Sequence, residues 1–296
     1  MDTQQFDALI IGFGKAGKTL AVTLANAGKK VALVERTPKM YGGTCINIAC
    51  IPTKVLVSAA EHHQSFDEAM THKTTVVTRL NEKNYHMLAD RETVSVIEGE
   101  ASFVDDHTVK VVAGDDELVV SAPQIFINTG AESIIPDIPG IDKPFVYTST
   151  ELLDKMTQPK HLAIIGGGYI GLEFASTYTK LGTKVTVFER GDALLAREDP
   201  AIARATTEAL QTQGIEIVFS VDVTAIEGES TATIRTANHD DYAGYDAVLM
   251  ATGRRPATMS LNLPAAGVAT DERGAIVVDE TLRTSRSHIW AMGDVT

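Results

Sequence analysis

The chain carries two cysteines, Cys45 and Cys50, within the stretch YGGTCINIACIPTK that runs from Tyr41 to Lys54. Two thiols at this separation can cycle between dithiol and disulphide, grip a soft metal ion, or lie as a pair of inert core thiols. The flanking residues point towards chemistry. Gly42 and Gly43 let backbone pass close to a ligand, and Pro52 restricts the residue before it. The pair is expected at the start of a helix, where the dipole stabilises a thiolate.

A redox pair needs a source of electrons, and the spacing of the glycines indicates one. The apolar run Ala8-Leu9-Ile10-Ile11 reads as a buried strand leading into Gly12-Phe13-Gly14-Lys15-Ala16-Gly17 and a helical stretch from Lys18 to about Asn26, ended by Gly28. A second strand, Val31–Val34, then finishes at Glu35. The pattern returns as Leu162–Ile165, Gly166-Gly167-Gly168-Tyr169-Ile170-Gly171, a helix, Gly182, and Val185–Phe188 ending at Glu189, with every landmark displaced by 154 positions. One copy could be no more than a tight turn of packed glycines. Two copies in register predict two βαβ dinucleotide sites. The first glycine permits the turn, the second lets backbone approach a pyrophosphate, and the third lets helix pack on strand. The helix N-terminus offers its amides to the phosphates, and Glu35 and Glu189 accept from ribose hydroxyls. A carboxylate at the tip repels a 2′-phosphate, so the second site is expected to take NADH in preference to NADPH. Arg36 and Arg190, which follow the two glutamates, read as solvated neighbours.

Composition bounds the partners. With 44% hydrophobic and 22% charged residues the chain is globular in type, and 39 Asp and Glu against 26 Lys and Arg give a net charge of −13, which disfavours nucleic acid and anionic membranes. No stretch approaches the roughly 20 apolar residues that span a bilayer. The N-terminus shows no basic region or cleavage site of an export signal, so a cytoplasmic location is expected, where a stable structural disulphide is rare. Leu118–Val120 and Gln124–Ile127 read as strands, the second opening onto Asn128-Thr129-Gly130-Ala131, and Pro136–Gly140 reads as a linker. The strand Ala247–Ala251 leads to a second Thr-Gly turn, Thr252-Gly253, and His288–Asp294 is a last apolar run ending in Gly-Asp. The expected fold is α/β, with two Rossmann-like doubly wound dinucleotide-binding domains, the first interrupted by the second: 1–148, 149–252 and 253–296.

From Phe6 to Asp294 these residues resemble the flavoprotein pyridine nucleotide-disulphide reductases, in which a GGTCxNxGCxPxK segment carries the redox disulphide. The resemblance implies that the first and third segments bind FAD and the middle one NADH. FAD would be held by Gly12, Gly14, Gly17, Glu35, Arg36, Gly43, Thr44, Lys54, Ala101, Thr129, Gly130 and Asp294. The nicotinamide nucleotide would be held by Gly166, Gly168, Tyr169, Ile170, Gly171, Glu189 and Gly253, with the Tyr169 ring covering the flavin until nicotinamide displaces it. It further implies that Cys50 is the sulfur nearer the flavin and Cys45 the one exposed to substrate. Lys54, near the reactive flavin nitrogen, would pair with Glu173 and so hold the two domains in register. Two departures stand out. Ala49 replaces the family's glycine, a change expected to be tolerated. No HPTxxE-like stretch occurs, and the family's C-terminal dimerisation domain is missing, so the chain is expected to be a piece of a homodimeric protein and itself monomeric.

The function that follows is passage of electrons from NADH through FAD and the Cys45–Cys50 disulphide to a thiophilic metal ion, Cu(II) or Hg(II), bound transiently by the same two cysteines, in oxidative-stress or metal defence. Alternatives are a disulphide reductase of the dihydrolipoamide dehydrogenase or glutathione reductase type, and a non-catalytic thiol sensor or metal-binding module. His62 and His63, expected on a long helix from Lys54, read with His72 and His86 as solvated or satisfied side chains, and Trp290 reads as packing.

Overall fold

Ala8–Ile11 and Val31–Val34 hold no polar side chain, and such continuous apolar runs suit strands covered on both faces. They form the centre of a five-stranded parallel sheet ordered Ile289–Ala291, Ile125–Ile127, Ala8–Ile11, Val31–Glu35, Val94–Glu98. A second parallel sheet is ordered Val146–Thr148, Ala247–Met250, His161–Ile165, Lys184–Phe188, Glu216–Val218. In both, the strand that enters a glycine loop is central, and the chain works outward first to one side and then back to the other. The single difference is the outer strand beside Ile125–Ile127 or Ala247–Met250, which comes last along the chain in the first sheet and first in the second. This is the doubly wound dinucleotide-binding order, built twice.

The computed structural model describes residues 3–296; residues 1 and 2 of the expected first segment lie outside the described residues. The chain divides into two compact units. One takes the chain up to Ile51 with Val76–Glu132 and Arg255–Thr296, and the other takes Pro52–Thr75 with Ser133–Arg254. Each unit also carries antiparallel strands in the crossover that returns the chain to the far side of its central strand. These are Glu100–Phe103, Thr108–Ala113 and Asp116–Ser121 in the first unit, and Val223–Glu227, Ala232–Thr236 and Asp241–Tyr245 in the second.

Six helices matter for the site: α1 (Lys15–Asn26), α2 (Thr44–Asn47), α3 (Cys50–Glu61), α4 (Phe66–Ala89), α5 (Ser149–Asp154) and α6 (Tyr169–Lys180). The unit boundaries fall inside α3 and α4. Leu56, Ala59, Phe66, Ala69 and Met70, from the segment that joins the second unit, share one buried cluster with Leu152 of α5, Leu162 and Ile164 of the central strand, and Phe174 and Tyr178 of α6. In the first unit Phe13, Ala21 and Tyr41 are buried with Ile10 and Leu33.

Two expectations need correction here. The helix expected from Lys54 begins four residues earlier, at Cys50, because Pro52 is tolerated in a first turn, where amides have no intrahelical partner. It stops at Glu61, so His62 and His63 are not helical; His63 has φ +55°, which terminates the helix. The Pro136–Gly140 stretch is no free linker. Ile138 and Ile141 pack on the second unit's core, and the Ile226 amide donates to the Pro139 carbonyl at 2.9 Å.

Candidate functional site

The first glycine loop is held by its neighbours' backbone. Gly12 has φ +103° and donates its amide to the Val34 carbonyl at 2.8 Å, and a Cβ there would overlap the Asn128 carbonyl. A Cβ on Gly17 would sit 2.7 Å from the Gly12 carbonyl oxygen and 3.0 Å from Ile10 Cγ2, so α1 can lie on its strand only with glycine there. Gly14 is the N-cap of α1 and no side chain caps the helix, which leaves first-turn amides open to a phosphate. At the strand tip Glu35 accepts from the Phe13 amide at 2.9 Å and the Thr37 amide at 3.4 Å. Its burial raises the carboxyl pKa, and those amides pull it back.

The same bonds recur 154 residues later. Glu189 accepts from the Gly167 amide at 2.8 Å and the Gly191 amide at 2.7 Å, and Gly166 donates to the Phe188 carbonyl at 2.9 Å. Gly171 abuts the Gly166 carbonyl as Gly17 does Gly12, and Gly168 caps α6, with open space where a Cβ would stand. Arg36 and Arg190 are both exposed. Each loop thus fits a dinucleotide. The glycines leave a groove at the carboxyl end of a central strand, and the carboxylate is already oriented by backbone.

The cysteine segment meets the first loop. Gly43, at φ +79°, is the N-cap of α2, and a Cβ on it would lie 2.7 Å from Gly14 Cα. Only two glycines allow that approach. Asn47 fixes the turn by donating to the Tyr41 and Gly43 carbonyls at 3.0 and 2.9 Å, and Asn81 donates to Asn47 Oδ1 at 3.0 Å. Cys45 falls in α2 and Cys50 opens α3; both are exposed, as thiols. Cys50 lies near enough to Cys45 to act on its ionisation. Burial, then Cys50, push the Cys45 thiol up, while Lys18 and Lys15 pull it down. Thr44 is the first residue of α2, and Ala49 adopts no positive φ, so its methyl group imposes no backbone strain.

Lys18 itself was unmarked by any sequence motif. Its side chain is 8% exposed and donates Nζ to Asn84 Oδ1, and burial lowers its pKa. Asn84 lies under the cysteine turn, since a Cβ on Gly42 would be 3.0 Å from its Cγ. Asn128, a second residue the motifs did not flag, accepts the Gly17 amide at 2.6 Å. These bonds span 66 and 111 residues of chain, and no local pattern announces them.

The remaining expected residues divide. Asp294 is exposed two residues beyond the Met292 amide that bonds the Ile127 carbonyl, at the same carboxyl end of the sheet as Gly12. Thr129 Oγ1 donates to the Ala257 carbonyl at 2.8 Å, and Gly130 accepts the Ala257 amide at 2.9 Å. Ala101 is buried in the strand Glu100–Phe103, paired with Val111. In the second unit Tyr169 is 65% exposed with its hydroxyl on Glu198, Ile170 packs against the core, and Gly253 (φ +133°) accepts the Ile134 amide at 2.9 Å. Lys54 and Glu173 form the expected ion pair. Both partners belong to the second unit, however, so this pair does not tie one unit to the other as expected. Among the described residues the grouped donor atoms are those of Asp106, His107 and His288, within 4.8 Å of one another. The two imidazoles stack at 4.0 Å and 11°, so their in-plane lone pairs run parallel instead of converging on an ion.

The family model for pyridine nucleotide-disulphide oxidoreductases matches residues 6–296. The chain is 50% identical over 293 residues to the probable pyridine nucleotide-disulphide oxidoreductase RclA of Escherichia coli K12, covering 99% of this chain and 66% of that protein. It is 36% identical to a Staphylococcus aureus mercuric reductase over 98% of this chain and 56% of the relative, and 36% identical to a Chlamydia pneumoniae dihydrolipoyl dehydrogenase over 99% and 66%. The chain therefore spans about half to two thirds of the length of these relatives. A solved Cu(II) complex of the HOCl-induced flavoprotein disulphide reductase RclA from E. coli superposes with a TM-score of 0.95 at 49% identity, over all of this chain and 67% of that one.

Proposed function

The chain belongs to the pyridine nucleotide-disulphide oxidoreductases, and on that premise we propose that it passes electrons from NADH through FAD and the Cys45–Cys50 pair to a thiophilic metal ion, Cu(II) or Hg(II). The observation that carries the reading is the backbone approach of Gly43 to Gly14, which sets the turn bearing two exposed thiols against the first glycine loop.

FAD is assigned to the first unit, on Gly12, Gly14, Gly17, Glu35, Gly43, Thr44, Thr129, Gly130 and Asp294. NADH is assigned to the second, on Gly166, Gly168, Gly171, Glu189 and Gly253. Glu189 supports NADH over NADPH because its carboxylate, held by two amides, faces the site where a 2′-phosphate would lie. When bound, FAD supplies the route by which a hydride equivalent becomes an electron pair for a disulphide. Within the chain, Cys50 heads α3 with its sulfur at a helix N-terminus, and Lys54 stands one turn further along the same helix face, where its cation opposes negative charge on a reduced cofactor. Cys45 meets the substrate. The dithiol yields two electrons and two protons as it closes to a disulphide, reducing two Cu(II) to Cu(I) or one Hg(II) to the metal. A thiophilic ion needs no leaving thiol to be protonated, unlike an organic disulphide. The Cu(II) complex of the E. coli relative and the mercuric reductases among the relatives support the metal.

The test is anaerobic. Flavin-loaded protein reduced with NADH and given Cu(II) should form Cu(I), detected with a chromogenic chelator, and Cys45→Ser should stop Cu(I) formation while flavin reduction continues. Equal Cu(I) formation by a Cys45→Ser/Cys50→Ser variant would sink the proposal, as would a reduced protein that turns over lipoamide but not the metal.

A further inference from the structure

Beside the turn that carries Cys45 lie two ammonium groups that the electron route above does not use. Lys15 and Lys18 lie three residues apart on the first turn of α1, and so on one helix face. That turn starts at Gly14, which the Gly43 backbone touches two residues before Cys45. Lys18 is buried and clamped by Asn84, whose amide also underlies Gly42. Lys15 is exposed, as Cys45 is. Both cations favour the thiolate form of Cys45. The chain as a whole has a net charge of −13, so a cationic approach here runs against the molecule's overall field.

We propose that Lys15 and Lys18 make Cys45 selective for anionic substrates, so that the metal ion arrives on a carboxylate-bearing ligand and not as a bare cation. A bare divalent cation would be repelled by two like charges beside its landing sulfur, whereas a complex with net negative charge is steered towards it. Lys18 is the fixed charge, because its burial and its bond to Asn84 hold it in place. Lys15 is the adjustable one, reaching into solvent where it can meet the ligand's carboxylate. This rests on the reading of Cys45 as the substrate-facing thiol, but its test needs neither NADH nor metal.

The probes are three disulphides differing in charge: dianionic 5,5′-dithiobis(2-nitrobenzoate), neutral 2-hydroxyethyl disulphide and dicationic cystamine. In each case the Cys45 sulfur attacks the probe's S–S bond and expels one probe thiolate. Cys50 then attacks Cys45 Sγ in the mixed disulphide and expels the second, and the chain's two thiol protons pass to solvent or product. The oxidised chain is followed by mass spectrometry after an acid quench, with flavin saturating. With each rate taken relative to the neutral probe, which absorbs the change in Cys45 thiolate that loss of Lys15 causes, Lys15→Gln should slow the dianion about three- to tenfold and quicken the dication at low ionic strength. Lys15→Glu should widen the effect, about 0.5 M salt should erase it, and the exposed Lys29→Gln should show none. Equal slowing of all three probes would mean that Lys15 serves thiol reactivity in general and would overturn selectivity. Unchanged probe rates with weakened flavin affinity would make Lys15 a cofactor phosphate contact, which also overturns it.

Discussion

In the proposed function single carboxylates carry much of the site's specificity, and Glu35 and Glu189 sit in unequal surroundings. Glu35 is buried, and desolvation raises its pKa despite three backbone bonds. A carboxyl whose folded pKa is raised contributes most to stability below the unfolded value of about 4.3 and loses that contribution as pH climbs through the folded one. Glu35→Gln keeps an oxygen for the Phe13 amide but cannot ionise. Its stability, followed by urea midpoints between about pH 4 and 7, should therefore fall less with rising pH than that of the parent chain. The exposed Lys54–Glu173 pair is a different case. With side-chain exposures of 68% and 35%, its loss in Lys54→Met should change stability by less than about 1 kcal/mol. The same variant should slow flavin reduction by NADH in a stopped-flow trace. A large stability loss with unaltered flavin reduction would reassign the pair to structure.

At the scale of the strand–loop–helix element, glycines that look alike in the repeat do different jobs. Gly171 sits against the Gly166 carbonyl and Ile164 Cγ2, so Gly171→Ala must push α6 off its strand, at a cost of about 1–3 kcal/mol or more. Gly168 has ordinary extended backbone and nothing within 4 Å of a Cβ. Gly168→Ala should leave the thermal midpoint within a few degrees of the parent and weaken NADH binding, because its methyl fills the groove meant for a phosphate. Calorimetry and a fluorescence titration on the two variants separate packing from binding. The cysteine element has a comparable dependence on Asn47. Removing its amide in Asn47→Ala takes the side-chain donor from the Tyr41 and Gly43 carbonyls and one acceptor from the Asn81 amide, which keeps the Pro38 and Lys39 carbonyls, with a loss of about 1–3 kcal/mol, and faster alkylation of Cys45 as the turn loosens.

For the whole molecule, two compact units with duplicate loops imply separable ligand responses. FAD should slow amide exchange across residues 8–35 and around Gly43, and NADH across residues 161–189. Each ligand at a hundred times its dissociation constant should add about 2.7 kcal/mol to the unit that binds it. Protection of the same segments by either ligand would contradict one site per unit. The features legible in the chain alone were those written locally: buried strands as unbroken apolar runs, glycines where a Cβ would strike the adjacent backbone, a carboxylate at each strand's end, and the cysteine segment with its flanking glycines. These signals lie close together along the chain, within the span of one βαβ unit, so spacing preserves them, and the 154-residue repeat doubled their weight. What only the tertiary structure decided involves partners distant in sequence. Lys18 reads as one more helical lysine until Asn84 and the cysteine turn close over it, and Asn128 reads as a loop residue until it receives the Gly17 amide. Lys54 and Glu173 could be matched as a pair, yet their common unit depends on α3 crossing a boundary that hydrophobic packing draws, because Leu56 and Ala59 bury themselves in the second unit's core. Side-chain burial is set by what arrives from elsewhere in the chain, and that information no local pattern holds.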